Sequence, residues 1–147
     1  MVENFDVVAL FKEVLGDNLD DFTLPPGSFS SMQCEIIAFD KVEKSITVTM
    51  PVLDFTLNPY NTMQGGFITA ALDNAIGPLS LLVAPLNMSR RITTDYRRAI
   101  TKEIELLYIT AQLTETKGRK LFFSAELKDC HGTVYTTAVA ENWLMKK

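Results

Sequence analysis

Asp73 is the residue best placed for chemistry in this chain of 147 residues, because of the company it keeps. It stands in the run NPYNTMQGGFITAALDNAIG, residues 58–77, where almost every side chain from Phe67 onward is apolar or small. Burying a carboxylate is costly unless another group pairs with it or a reaction uses it. An acid in such surroundings is a candidate general base or nucleophile. Eight residues earlier comes the pair Gly65-Gly66, where a helix would begin. The first N–H groups of a helix lack partners inside it, and the helix dipole makes that end favour negative charge. Glycine there also lets another molecule approach the backbone closely. Taken alone, the Gly pair only marks a tight turn. Taken alone, Asp73 reads more readily as a structural acid that caps or pairs inside a dimer core.

Other reactive side chains offer less. His131 is the only histidine and falls in a turn, DCHGT, so a Ser-His-Asp site would rest on it alone. Zinc would lack ligands, and no metal is expected. Cys34 and Cys130 form no disulfide framework, which points to a reduced, cytoplasmic setting. Basic residues gather locally at Arg90, Arg91, Arg97, Arg98, Lys117, Arg119 and Lys120, although the net charge is −4. Strand ends and a turn facing solvent would account for them, and so would contact with an anionic ligand. The acidic total argues against nucleic acid.

The elements that must position these residues follow from periodicity. Asn4 or Asp6 can cap a first helix in which Val7, Val8, Leu10, Phe11, Val14 and Leu15 recur at helical spacing, with Gly16 as its stop. Residues 17–31, rich in Asp, Pro and Gly, read as a polar loop. Strands are expected at 33–40 and 45–50, with 41–44 as the turn; Ile46, Val48 and Met50 alternate with Thr47 and Thr49. A helix apolar nearly all round follows Gly65-Gly66, with Ile68, Leu72, Ala75 and Leu79 on one face. Such a helix needs covering on several sides, by a sheet or by a second copy of itself. Pro78 removes an N–H from its interior and predicts a kink or break. Four strands close the chain, at 89–99, 105–116, 120–128 and 134–144, the last three joined by short turns and so antiparallel.

These elements make one α+β domain over residues 1–147, long enough to bury a core of its own. The N-terminus is acidic and amphipathic, unlike a signal peptide. The apolar run from Gly65 to Leu86 has the length of a membrane span. Asp73, Asn74, Gly77, Pro78 and Pro85 argue against that role, as does the lack of basic flanks before it. No membrane association is expected.

A long apolar helix opened by Gly-Gly and followed by four antiparallel strands resembles the hotdog fold. The motif formed by Asn58, Thr62-Met63-Gln64-Gly65-Gly66 and Asp73-Asn74 is similar to the signature of phenylacetic-acid-degradation-type acyl-CoA thioesterases of the 4-hydroxybenzoyl-CoA thioesterase superfamily. That family usually has His-Gly-Gly where this chain has Gln64-Gly65-Gly66. Ser89, seven residues before Tyr96, matches a serine that members place ahead of a strand. The resemblance implies a long central helix wrapped by a curved antiparallel sheet, and hydrolysis of a CoA thioester without a cofactor. It assigns Asp73 as base or nucleophile and Gly65 as oxyanion donor, with Asn58, Gln64 and Ser89 completing the site. Glutamine in place of histidine can exchange hydrogen bonds but cannot titrate. Arg90, Arg91, Arg119 and Lys120 are then candidates for the phosphates of coenzyme A. Phe67 and Met63, with Phe55, Leu57 and Tyr60, are candidates for an acyl pocket or for plain core.

Gly65 and Asp73 lie about 12 Å apart along one helix at the usual rise per residue. One carbonyl cannot touch both. If both act on it, they come from different subunits, with two helices antiparallel across a two-fold axis. A homodimer is therefore expected, and family members often pair dimers into tetramers. The rival reading is a hotdog protein that binds acyl-CoA without turning it over. A dehydratase of this fold would need His131 at the helix mouth, and a DNA-binding regulator would need an added helix-turn-helix.

Overall fold

The structure, a computed structural model, describes residues 6–146. Helix α1 (Val7–Leu15) starts at Asp6, whose side chain accepts the Ala9 N–H at 3.0 Å. Asn4, the other candidate cap, lies outside the described residues. Gly16 ends α1 with φ at 53°, a left-handed conformation that glycine adopts without penalty.

The expected loop after it is a correction. Residues Gly16–Asp21 form a 3₁₀ helix and Gly27–Ser31 a short helix, α2, entered from Pro26. Asp, Pro and Gly dominate the composition, but Leu19, Leu24 and Phe29 are spaced so that each packs against the core. Burial of those three side chains outweighs the local preference for turn.

Strands β1 (Glu35–Asp40) and β2 (Ser45–Met50) form a hairpin across the expected turn. β1 begins later than its apolar pattern suggests, because Gln33 has φ at 54° and cannot extend the strand. The long helix α3 (Gly65–Val83) then leads to β3 (Asn87–Tyr96), β4 (Leu107–Lys117), β5 (Lys120–Lys128) and β6 (Val134–Leu144). The six strands make one antiparallel sheet in the order β1-β2-β4-β5-β6-β3. β3 ends earlier than expected, since the N–H groups of Arg97 and Arg98 both turn to the carbonyl of Tyr135. Its longer link to β4 carries the chain across the sheet, and β3 pairs with β6 at the far edge.

The sheet wraps α3, which contacts β2, β3, β4 and β5. Ile68, Leu72, Ala75 and Leu79 are buried against it as their shared face requires. Pro78 does not break the helix, which runs through it to Val83. Coverage is one-sided. Gly66 and Asp73 are exposed, and Ala70 and Gly77 are half-buried; at i, i+4, i+7 and i+11 these four mark one uncovered face. Among the described residues α3 is the one helix long and apolar enough to cross a bilayer, and half of its most apolar window is buried against the sheet.

Candidate active site

Asp73 stands on that uncovered face, opposite the start of β3. Ser89 donates its Oγ–H to Asp73 Oδ1 at 3.4 Å. A bulge between Ser89 and Arg91 interrupts the ladder there, and such bulges re-aim side chains. The strand is anchored by three asparagine contacts beneath it. Asn142, paired in register with Ser89 and only 2% exposed, donates to Asn87 Oδ1 at 2.8 Å. Asn87 in turn donates to the carbonyls of Ser80 and Pro85. The start of β3 is thus held to α3 by two hydrogen bonds, Ser89 to Asp73 and Asn87 to Ser80.

Asp73 borders a cavity of about 780 Å³. The surrounding walls desolvate its carboxyl and raise its pKa above the ordinary value, while the Ser89 hydrogen bond pulls it back in part. Solvent still reaches the side chain. The shift comes from concave apolar surroundings rather than from complete enclosure. Beyond the polar rim of Asp73, Ser89, Asn87 and Asn142, the walls are supplied largely by residues 7–36. Nothing in the motif pointed to that segment. The scattered apolar side chains Leu19, Phe22, Leu24 and Phe29 were the available signal.

Gly65 is elsewhere. It is the first residue of α3 and borders a second cavity, of about 290 Å³, with Tyr96, Arg97 and Arg98. Among the described residues no acceptor is present for the Gly65 or Gly66 N–H. Gln64 caps the helix through its backbone carbonyl, which accepts from Phe67 and Ile68; its side chain is exposed and makes no hydrogen bond among the described residues. Asn58 is committed to its own loop. Its Oδ1 accepts from the N–H groups of Tyr60 and Thr62, and its Nδ2 donates to Thr62 Oγ1 at 2.8 Å. That loop delivers Met63 and Gln64 to the helix start through backbone bonds to Ile100 and Thr56.

Met63 is buried and borders the smaller cavity, whereas Phe67 borders neither and packs edge-on to Phe55 at 5.5 Å. Phe55 and Tyr60 are exposed and Leu57 packs against the core. The basic residues divide into two groups. Arg90 and Lys120 lie over the Trp143 ring at 4.5 and 5.3 Å, and Arg119 Nη2 donates to the Leu144 carbonyl. Arg91 pairs in register with Glu141 beside them. Arg97 and Arg98 stand instead at the Gly65 mouth.

His131 sits in the β5–β6 turn, where its N–H and that of Thr133 bond to Asp129. Cys34 is buried, its thiol pushed up to about 11 by burial, and is no nucleophile. No group of residues suited to a metal ion occurs among the described residues.

Neither a protein-family model nor a curated protein matches the sequence. Solved structures do match in fold. A phenylacetic acid degradation-related protein from Ralstonia eutropha JMP134 superposes with a TM-score of 0.78 at 20% identity, over 92% of this chain and 98% of that one. The E. coli PaaI protein of the phenylacetic acid degradation operon gives 0.77 at 15% identity, over 96% and 97%. A Streptococcus mutans protein crystallised with acetyl CoA gives 0.70 at 17% identity, over 78% and 90%. The long helix embraced by a six-stranded antiparallel sheet is, in this chain as in those structures, the hotdog fold.

Proposed function

We propose that the protein is an acyl-CoA thioesterase that works as a dimer with two shared sites. One observation carries the reading: a carboxylate on the uncovered face of α3, hydrogen-bonded by Ser89, stands at the rim of an apolar cavity. The similarity in fold to proteins of phenylacetic acid degradation, and to one crystallised with acetyl CoA, supports it. Gly65 and Asp73 border different cavities of the same chain, which suits a site completed across a two-fold axis. The uncovered helix face, with the small residues Gly66, Ala70 and Gly77, lets a second helix approach closely. The outer edge of β3 is likewise unpaired among the described residues.

In this mechanism Asp73 takes a proton from water as the water oxygen adds to the thioester carbonyl carbon. The carbonyl oxygen becomes an oxyanion and is held by the N–H of Gly65 of the partner subunit. The carbon–sulfur bond then breaks, the coenzyme A thiolate leaves and recovers the proton from Asp73, and the acid is released. Direct attack by Asp73 would pass instead through an anhydride that water opens. Ser89 keeps the carboxylate oriented in either route. Asn58 shapes the loop that presents Gln64 and Gly65.

Gln64 favours a second reading, acyl-CoA binding without turnover, because it puts a side chain that cannot titrate at the helix mouth. A panel of CoA thioesters separates the two. Asp73→Asn keeps the shape of the side chain but not its basicity, and should lower kcat by about 10²–10⁴-fold while the fold, dimer and acyl-CoA binding persist. Undiminished turnover in that variant would remove Asp73 from the mechanism. Binding by the parent without any hydrolysis would favour the second reading.

A further inference from the structure

Asn74, next to the catalytic candidate, faces away from the reaction and toward the N-terminal segment. Ser28 Oγ donates to its Oδ1 at 3.3 Å, and its Nδ2 donates to Met32 Sδ at 3.4 Å and to Cys34 Sγ at 3.8 Å. Met32 and Cys34 are themselves buried, so one side chain of α3 ties both ends of α2 to the helix. The segment held in this way roofs the 780 Å³ cavity, whose apolar walls include Phe11, Leu19, Phe22, Leu24, Phe29 and Leu81. That volume is within the ordinary range for a small-molecule site. An acetyl group would leave most of the apolar wall uncovered, whereas an extended chain would displace water from it.

We propose that this cavity is the acyl subsite for CoA thioesters carrying an extended apolar acyl group, and that Asn74 is the positioning residue that holds its roof in place. The proposal rests on the thioesterase reading for turnover but not for binding. Chain-length selectivity is then built by residues 7–36 of the same chain that supplies Asp73. The pair Asp73-Asn74 combines two tasks on adjacent residues, proton transfer by the first and closure of the acyl cavity by the second.

The test measures both binding and turnover against chain length. Non-hydrolysable S-alkyl-CoA thioethers from ethyl to octyl are titrated by calorimetry, and acetyl- to octanoyl-CoA are assayed for hydrolysis. Affinity and kcat/KM should each rise about fourfold per methylene until the cavity is filled. Leu24→Trp and Leu19→Trp both add bulk at the cavity wall, away from the helix face offered to a partner. Each should lower the octanoyl-to-acetyl ratio of kcat/KM by about tenfold or more. Asn74→Leu should raise KM for octanoyl-CoA by about tenfold, with kcat changed far less, and lower the same ratio. Thioether affinity that grows with chain length in a protein that hydrolyses nothing would uphold the subsite and overturn the thioesterase reading. Hydrolysis with a flat chain-length profile would do the reverse. A ratio unmoved by both filling variants would also overturn the subsite, and an Asn74→Leu effect equal at all chain lengths would overturn the role of Asn74.

Discussion

Tyr96 covers Gly65. Its hydroxyl donates to the Gly65 carbonyl at 2.9 Å and lies 2.7 Å from Thr69 Oγ1. A Cβ added to Gly65 would stand 3.1 Å from the Tyr96 ring. The need for glycine at the helix mouth is therefore set in part within one chain, by a tyrosine 31 residues downstream. The approach of a substrate carbonyl is a second, separate demand.

The two demands can be separated by substitution. Gly65→Ala adds a methyl group against Tyr96 but keeps the N–H. Gly65→Pro removes the N–H at the first helical position, where proline is well tolerated, and Gln64 before it already has the extended conformation that proline requires, with φ at −65° and ψ at 138°. If the N–H binds the oxyanion, Gly65→Pro should lower kcat by about 10²–10³-fold and Gly65→Ala by far less. Adding Tyr96→Ala should recover whatever Gly65→Ala loses to the tyrosine. Equal losses in the alanine and proline variants, measured by steady-state kinetics, would show that space rather than the donor matters.

Asp73 should leave opposite marks on activity and stability. Its pKa is raised in the folded protein, so the acidic limb of the kcat/KM profile should lie above the ordinary carboxylate range, activity falling as pH drops through it. Ser89→Ala removes the hydrogen bond that counteracts the shift and should move that limb higher. For stability, the folded protein binds a proton more tightly than the unfolded chain. The cost of ionised Asp73 is thus absent below the unfolded pKa and complete above the folded one. Asp73→Asn should accordingly raise Tm at pH 7, with the gain shrinking toward pH 3. Thermal melts at the two pH values check the sign.

The division of the basic residues gives a contrast in substrate binding. Arg97 and Arg98 border the cavity of Gly65, whereas Arg90 and Lys120 are engaged with Trp143 and Arg119 with a backbone carbonyl. Charge reversal of Arg97 and Arg98 to Glu should raise KM for acyl-CoA by about tenfold or more with kcat little changed, since the phosphates would lose their partners. If Arg90→Glu and Arg119→Glu have the larger effect, the coenzyme A phosphates lie at the Trp143 end instead.

Shared sites allow a mixing experiment. Asp73→Asn and Gly65→Pro are each defective at both sites of their own dimer. In a mixed dimer one site combines both lesions and the other has neither. Subunits exchanged at equal concentration should therefore regain up to about a quarter of parental activity. No regain, once sedimentation confirms that mixed dimers form, would place Gly65 and Asp73 of one chain in separate roles.

How much of this was legible before folding depends on range. The strands β2, β5 and β6 and the helix α3 follow from period-two and helical patterns, because each pattern reports which side chains of a local element share a face. Asp6 and Gly16 are readable as the ends of α1 for the same reason: a cap acts on its own helix. Residues 17–31 read as a loop, since their Asp, Pro and Gly favour turns locally. Their order comes from burying Leu19, Leu24 and Phe29 against residues far along the chain. Pro78 likewise reads locally as a break, yet α3 runs through it to Val83. At the site, the type of Asp73 and its spacing from Gly65 are one-dimensional facts. Its hydrogen bond with Ser89, the cover of Tyr96 over Gly65, and the grip of Asn74 on Ser28, Met32 and Cys34 join residues 16 to 46 positions apart. Such contacts exist only once the sheet closes around the helix, because no local periodicity encodes which distant side chain a folded surface will meet.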